Sequence, residues 1–422
     1  MLIAHLADTH LGIRLYGFDW TYDAILEHFK QAFTRALEEK VDAIILAGDL
    51  FDKPRPPNKA LKTVIELVSQ AVEKGVRVYG VLGEHDLPKV TDIPPQLLVP
   101  GLHVFGLSGS QVDCIAVDGR EYCIGGVNHL PLKYERGMKA KLVSMINSVV
   151  AKMNNKSVLV MHQNIASFEM FEPGLEINEI PEKPLYVAMG HLHRRIIYRR
   201  ENGQLIVYPG SLDILKRDEI SEWKKNGKGF YLVDISGDEP QVQPVDTEVI
   251  PQELVEAYLK ELETKVSAVA SKLPRDKKSI LHVIVLLKTS EKTDVLPIIK
   301  RIVSRYSQNI SVRVEKKYVE EELGREVRLE SVDEVDVIQH ILGGQQYRDL
   351  AEKIYLLKQA LVKEDYQSVE DIVEEIAKHS YWAGRIKPPQ ITLPTQSTTT
   401  PKKTIKPSTT GKRDLLSYLG GG

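Results

Sequence analysis

Short, continuous apolar runs alternate with amphipathic stretches at the start of the chain. Residues 1–7 and 41–47 are apolar but for His5 and Asp42, as in strands buried on both faces of a sheet. Between them, Ile25, Phe29, Ala32, Phe33, Ala36 and Leu37 recur at helical spacing over 21–40. Asn58 is a good N-cap for a helix over 59–74, Gly75 is a good stop, and 76–82 reads as a third strand. The pattern predicts a β-α-β-α-β run. Each predicted strand stops at a polar cluster: Asp8-Thr9-His10, then Gly48-Asp49, then Gly83-Glu84-His85-Asp86. Ligands of open α/β sheets bind outside the carboxyl ends of strands, so these clusters stand where chemistry is expected. Gly48, lacking a Cβ, is expected to let a metal or phosphate approach the backbone.

Further along, strands shorten through Val127, and 133–154 reads as a helix. A strand over 157–161 ends at His162-Gln163, and one over 184–189 ends at Gly190-His191-Leu192-His193. Asn202-Gly203 predicts a type I′ hairpin between 194–200 and 204–208, and a strand over 229–235 closes the first region. Then come an amphipathic helix (251–273), a strand (280–287), a helix (294–306) and a strand (310–314), a compact α-β-α-β unit. Residues 332–382 predict two helices, with breaks at Gly343-Gly344 and near Glu364-Asp365. The Pro-, Thr- and Lys-rich 386–412 reads as a disordered tether. The apolar residues of 412–419 are a docking peptide or a frayed tail.

The chain's 422 residues, 42% hydrophobic, suffice for two or three domains. No run is long enough to span a membrane, and the start enters a strand without a signal peptide, so an intracellular protein of cytoplasm or nucleoid is expected. Cys114 and Cys123 could pair; in this setting free core thiols are expected, and a thiolate zinc site is not. A net charge of −2 leaves any polyanion to local basic patches.

A lone histidine is usually surface or core. Here five strand ends carry Asp8 and His10, Asp49, Glu84 and His85, His162, and His191 and His193. Residues two apart on an extended segment point the same way, and a carboxylate–imidazole set suits Mn²⁺, Fe²⁺ or Zn²⁺. The order D-x-H, G-D-x-x-D, G-E-H-D, lone His, G-H-x-H resembles the calcineurin-like metallophosphoesterases. His5-Leu6-Ala7-Asp8-Thr9-His10-Leu11-Gly12, Gly48-Asp49-Leu50-Phe51-Asp52 and Tyr208-Pro209-Gly210-Ser211 are similar to the double-strand-break repair nucleases of the meiotic recombination 11 and SbcD type. That resemblance implies an α/β fold: a β-sandwich flanked by helices, a small α/β cap domain and a C-terminal helical extension. The expected domains are 1–250 (nuclease), 251–328 (cap), 329–385 (helical partner-binding region) and 386–422 (disordered linker with terminal docking peptide).

The resemblance also implies roles. Asp8, His10 and His193 would hold one ion with Asp49, which bridges to a second held by Glu84, His162 and His191. His85 would be catalytic, beside the scissile phosphate. Two Mn²⁺ per subunit, or other divalent ions, would serve a DNA exo- and endonuclease. Its partners would be DNA, a second copy of the chain, and an SMC-like coiled-coil ATPase docked on 329–385. Two positions depart from the family. Glu84 stands where relatives carry Asn, adding a negative charge to the site. Asp52 stands where many relatives carry His, and is either a partner that orients a histidine or a turn cap. Lys53, Arg55, Arg194, Arg195, Arg199 and Lys216 lie near the expected active edge and are candidates for DNA phosphates. The alternatives are a phosphodiesterase for small substrates and a mainly structural DNA-tethering subunit.

Overall fold

The computed structural model describes residues 1–88, 93–107, 109–132, 137–169, 172–288, 294–319, 344–362 and 366–378, with 335, 338, 339 and 342. Two compact units form, one built on Met1–Glu320 and one on Glu321–Thr410.

In the first unit the expected β-α-β-α-β run is β1 (Leu2–Leu6), α1 (Asp19–Glu38), β2 (Ala43–Ala47), α2 (Asn58–Glu73) and β3 (Arg77–Val81). These strands pair in parallel, β4 (Leu102–Val104) extends them, and β11 (Gly229–Asp234) and β12 (Gln241–Asp246) complete a six-stranded sheet beyond β1. A second six-stranded sheet has the order β5 (Val112–Val117), β6 (Arg120–Val127), β7 (Ser157–His162), β8 (Tyr186–Gly190), β10 (Leu205–Tyr208) and β9 (Ile196–Arg199). The near-continuous apolar runs follow from two-sided burial. Ile3 and Ile45 face the second sheet and pack with Ile124, Val160 and Tyr186, while Ala4, Leu6 and Ile44 face α1 and α2. Each such aliphatic side chain contributes about 1.5–3 kcal/mol. Helix α3 (Met138–Ala151) covers the second sheet's outer face, giving four layers, and a short helix α4 (Glu219–Asn226) precedes β11.

Several expectations change. Residues 251–273 are not one helix. They form β13 (Gln252–Tyr258), a 3₁₀ turn and α5 (Leu262–Ala270). Gln252, Val255 and Ala257 are buried while Leu254, Glu256 and Tyr258 are exposed, so a period of two wins once β14 (Ser279–Lys288) offers a parallel partner. With α6 (Leu296–Val303) and β15 (Ile310–Val319) the cap is β-α-β-α-β. It meets the two-sheet body through Trp20 Nε1, which donates to Ser311 Oγ at 3.1 Å, and through the Arg217–Glu315 ion pair at 2.5 Å. The Asn202-Gly203 turn is not type I′. Only Gly203 has positive φ, and its N–H donates to Arg200 O, the pattern of a type I turn closed by a left-handed glycine. Asn58 is the first residue of α2, with Pro57 in the cap position. The expected helix over 133–154 begins at Met138, and 133–136 lie outside the described residues. Cys114 and Cys123 are not free thiols: they face each other across the antiparallel β5–β6 pair and form a disulfide.

The second unit contains α7 (Arg348–Val362) and α8 (Tyr366–Ala377), tied by the Lys353–Glu375 ion pair at 3.2 Å. Gly343, the break at 363–365 and the tether from 386 lie outside the described residues. Among the described residues, no helix is long and apolar enough to cross a membrane.

Candidate metal centre

The carboxyl ends of β1, β2 and β3 in one sheet meet those of β7 and β8 in the other. Two glycines permit this. A Cβ on Gly190 would stand 1.8 Å from Ala47 O, and one on Gly48 would stand 2.2 Å from His162 Nδ1. The space expected above Gly48 for a metal or phosphate is thus filled by His162. Four candidate ligands sit in the left-handed or an even rarer region: Asp8 (φ 51°), His10 (φ 43°), Asp49 (φ 47°) and His191 (φ 105°). Such conformations cost about 1–3 kcal/mol each and persist only where the surroundings impose them.

Asp8 is fully buried, and its carboxylate accepts the His191 N–H at 3.0 and 3.2 Å. Asp8, His10 and His193 offer ligand atoms within 4.8 Å of one another, and so do Asp8, Asp49 and His162. Hydrogen bonds decide the tautomers. His162 Nδ1 donates to Ala47 O (2.8 Å), so in the neutral ring the lone pair is on Nε2, which lies 3.3 Å from Asp49 Oδ2 without hydrogen-bond geometry. His193 Nδ1 donates to Glu219 Oε1 (2.8 Å), leaving its Nε2 lone pair 3.2 Å from His10 Nε2. Bonds of about 2.1 Å at right angles place two donors about 3.0 Å apart. This donor set, with a buried imidazole nitrogen lacking a partner, fits divalent cations.

The electrostatics divide the set. Burial opposes charge on His162, but the Asp49 carboxylate outweighs it and lifts the pKa to about 10. Burial pushes Asp49 up; His162 more than reverses this and holds it well below the usual carboxylate range. Burial and the nearby His193 push His10 well down. Burial pushes the partly exposed Glu219 up, yet its bond to His193 and the Lys228 ammonium hold it at about 2. Lys228 Nζ donates to Glu219 Oε2, Ser211 Oγ and His193 O, each at 2.6 Å.

His85 is exposed on the cleft. Its N–H donates to Asp49 Oδ1 (2.8 Å), and its Nδ1 donates to the carbonyl of Asp52 (2.9 Å). The Asp52 carboxylate instead stands 3.8 Å from His10 Nδ1. Buried Asp86 accepts the N–H groups of Leu50, Phe51 and Gly83, joining the tips of β2 and β3. Glu84 is exposed and, like His191, stands in none of the compact ligand groups among the described residues. His191 Nε2 lies 3.0 Å from Glu172 Oε2. Of the candidate DNA contacts, Arg194 and Lys216 line the cleft, and Lys53 and Arg55 are exposed on the loop after β2. Arg195 is instead paired with Asp246 (2.6 Å) and Arg199 with Glu239 (2.8 Å). The cleft, about 570 Å³, is lined by eight carboxylates against the two cations Arg194 and Lys216. Glu172, Glu219 and Lys228 carried no sequence signal; Asp86 could have been found from its place after His85.

Comparison with known proteins follows the same lines. Residues 1–220 match the family model of the calcineurin-like phosphoesterases. The DNA double-strand break repair protein Mre11 of Sulfurisphaera tokodaii is 32% identical over 71% of this chain and 77% of its own. The protein of that name from Methanocaldococcus jannaschii is 34% identical over 62% of this chain and 70% of its own. That from Sulfolobus acidocaldarius is 27% identical over 89% of this chain and 99% of its own.

Proposed function

Because this chain belongs to the calcineurin-like phosphoesterases, and within them to the Mre11 double-strand break repair nucleases, we propose that it trims DNA ends as an exo- and endonuclease with two Mn²⁺ ions. The observation that carries this reading is the meeting of five ligand-bearing strand tips on one acidic cleft. Asp8, His10, His193 and Asp49 hold one ion; Asp49, Glu84, His162 and His191 hold the other. When bound, the ions supply Lewis acidity that activates water and offsets phosphate charge. His85 is fixed through its own N–H and through Nδ1, so Nε2 is the nitrogen left to face the leaving oxygen: as the imidazolium, with a proton on both nitrogens, the ring stabilises the charge there or gives up its Nε2 proton. Arg194 and Lys216 hold the backbone phosphates, with Lys53 and Arg55 further out. Arg194, Arg195 and Arg199 are ion-paired, with Glu169, Asp246 and Glu239, and reach DNA by leaving those partners.

The chain divides into a nuclease domain (1–250), a cap (251–328), a helical region (329–385) and a linker (386–422). The exposed Val72 of α2, with exposed Ile93 and Leu98, supports a homodimer contact. Exposed Leu356 and Val373 on α7 and α8 support docking of an SMC-like ATPase. The test is end-labelled duplex DNA with and without Mn²⁺, resolved by fragment length. Mn²⁺-dependent shortening is expected, and His85→Ala should slow it about 10²- to 10⁴-fold with both ions still bound. Hydrolysis of bis-p-nitrophenyl phosphate with DNA left intact would overturn the reading.

A further inference from the structure

Each histidine of Gly190-His191-Leu192-His193 has its own carboxylate. His193 meets Glu219, and His191 meets Glu172. The two carboxylates differ in kind: Glu219 is neutralised by Lys228, whereas Glu172 stands on the open cleft with a side chain 27% exposed.

Glu172 is held in a built loop. Ile165 and Leu175 form a bridge that closes its base, with Ala166 N donating to Leu175 O and Leu175 N donating to Asn164 O. Across the loop, the buried Asn164 amide donates to the carbonyls of Glu169 (2.9 Å) and Glu172 (2.7 Å). A Cβ on Gly174 would stand 2.7 Å from Asn164 O, so the closure needs a glycine there. Among the described residues of this loop, Glu169 and Glu172 line the cleft, and it is Glu172 Oε2 that stands 3.0 Å from His191 Nε2. A carboxylate accepts and an imidazole N–H donates, so the proton of His191 lies on Nε2 and its lone pair on Nδ1.

We propose that Glu172 is a positioning residue of the second ion. It fixes the tautomer and ring orientation of His191, so that Nδ1 is the ligating nitrogen. The assignment rests on the two-ion reading above. Partners of this kind are worth about 10- to 100-fold in metal affinity.

Mn²⁺ binding to the full chain, followed by calorimetry and electron paramagnetic resonance, tests this without reference to activity. The wild-type protein is expected to bind two ions. Glu172→Ala should weaken one of them about 10- to 100-fold and leave the other unchanged. Glu172→Gln, whose amide oxygen still accepts from Nε2, should recover most of that loss. It also guards against a fold defect, with thermal melting compared across all three proteins. Two ions bound to Glu172→Ala with wild-type affinity overturn the assignment, as does a Glu172→Gln protein no better than the alanine variant. A wild-type protein that binds only one ion overturns the two-ion reading itself.

Discussion

The two ends of the cleft are built differently. At one end His10 and His193 turn their Nε2 atoms toward each other at 3.2 Å, and His193 is backed by a largely buried Glu219–Lys228–Ser211 network. His10 is held neutral by burial and by His193. This end has its donors in place before any ion arrives. At the other end, His162 shares its site with Asp49 and holds a proton, His191 leans on the Glu172 carboxylate of the cleft wall, and Glu84 is exposed. One end is prepared by burial of a complete charge network; the other must exchange a proton and draw in exposed carboxylates. Rigidity and preorganisation at a metal site therefore come from what surrounds the ligands, not from the ligands alone.

The proton on His162 gives the largest test of this contrast. Its pKa in the metal-free protein is raised to about 10, so below that pH the ring is protonated and an ion must displace the proton. Affinity at the second end should rise about tenfold per pH unit, hence about 100-fold from pH 6.5 to 8.5. The first end, with His10 already neutral, should change little. Mn²⁺ titrations at the two pH values would show it, and equal slopes at both ends would break the comparison.

Glu219→Gln attacks the prepared end. It keeps an acceptor for His193 but strips Lys228, only 3% exposed, of its counter-charge. Affinity at the first end should fall about 10- to 100-fold. Thermal unfolding should register a loss of about 3–5 kcal/mol. A stable variant with unchanged affinity would mean that the network is dispensable.

Glu84→Asn should do least. Glu84 is exposed and outside the compact ligand groups. The change should weaken Mn²⁺ binding by only about threefold, roughly the 0.6 kcal/mol of an exposed charge. Turnover at saturating Mn²⁺ should be unchanged or raised, because the cleft then repels phosphate less. Complete loss of activity would show that Glu84 is indispensable.

Much of this was legible along the chain. The apolar runs of β1, β2 and β3 and the stripes of α1 and α2 stand where local periodicity puts them, because burial on both faces leaves a continuous signature. The ligand-bearing tips were legible for a related reason: a strand must end somewhere, and Asp8, Asp49, His162 and His191 all follow its last apolar residues. β13 was misread because Leu254 and Tyr258, both exposed, mimic a helical stripe. The disulfide was missed because pairing depends on the register that sets Cys114 opposite Cys123, which composition does not encode.

The sequence by itself determined the order of strands and helices and the chemistry at each strand tip, since both depend on near neighbours. Only the tertiary structure decided what each tip does with that chemistry. Glu172 lies 19 residues before His191, Glu219 lies 26 after His193, and Ala47 is 115 from His162. Tautomer, protonation and orientation follow from these contacts. Hydrogen bonding and desolvation act through space, and no spacing along the chain carries them.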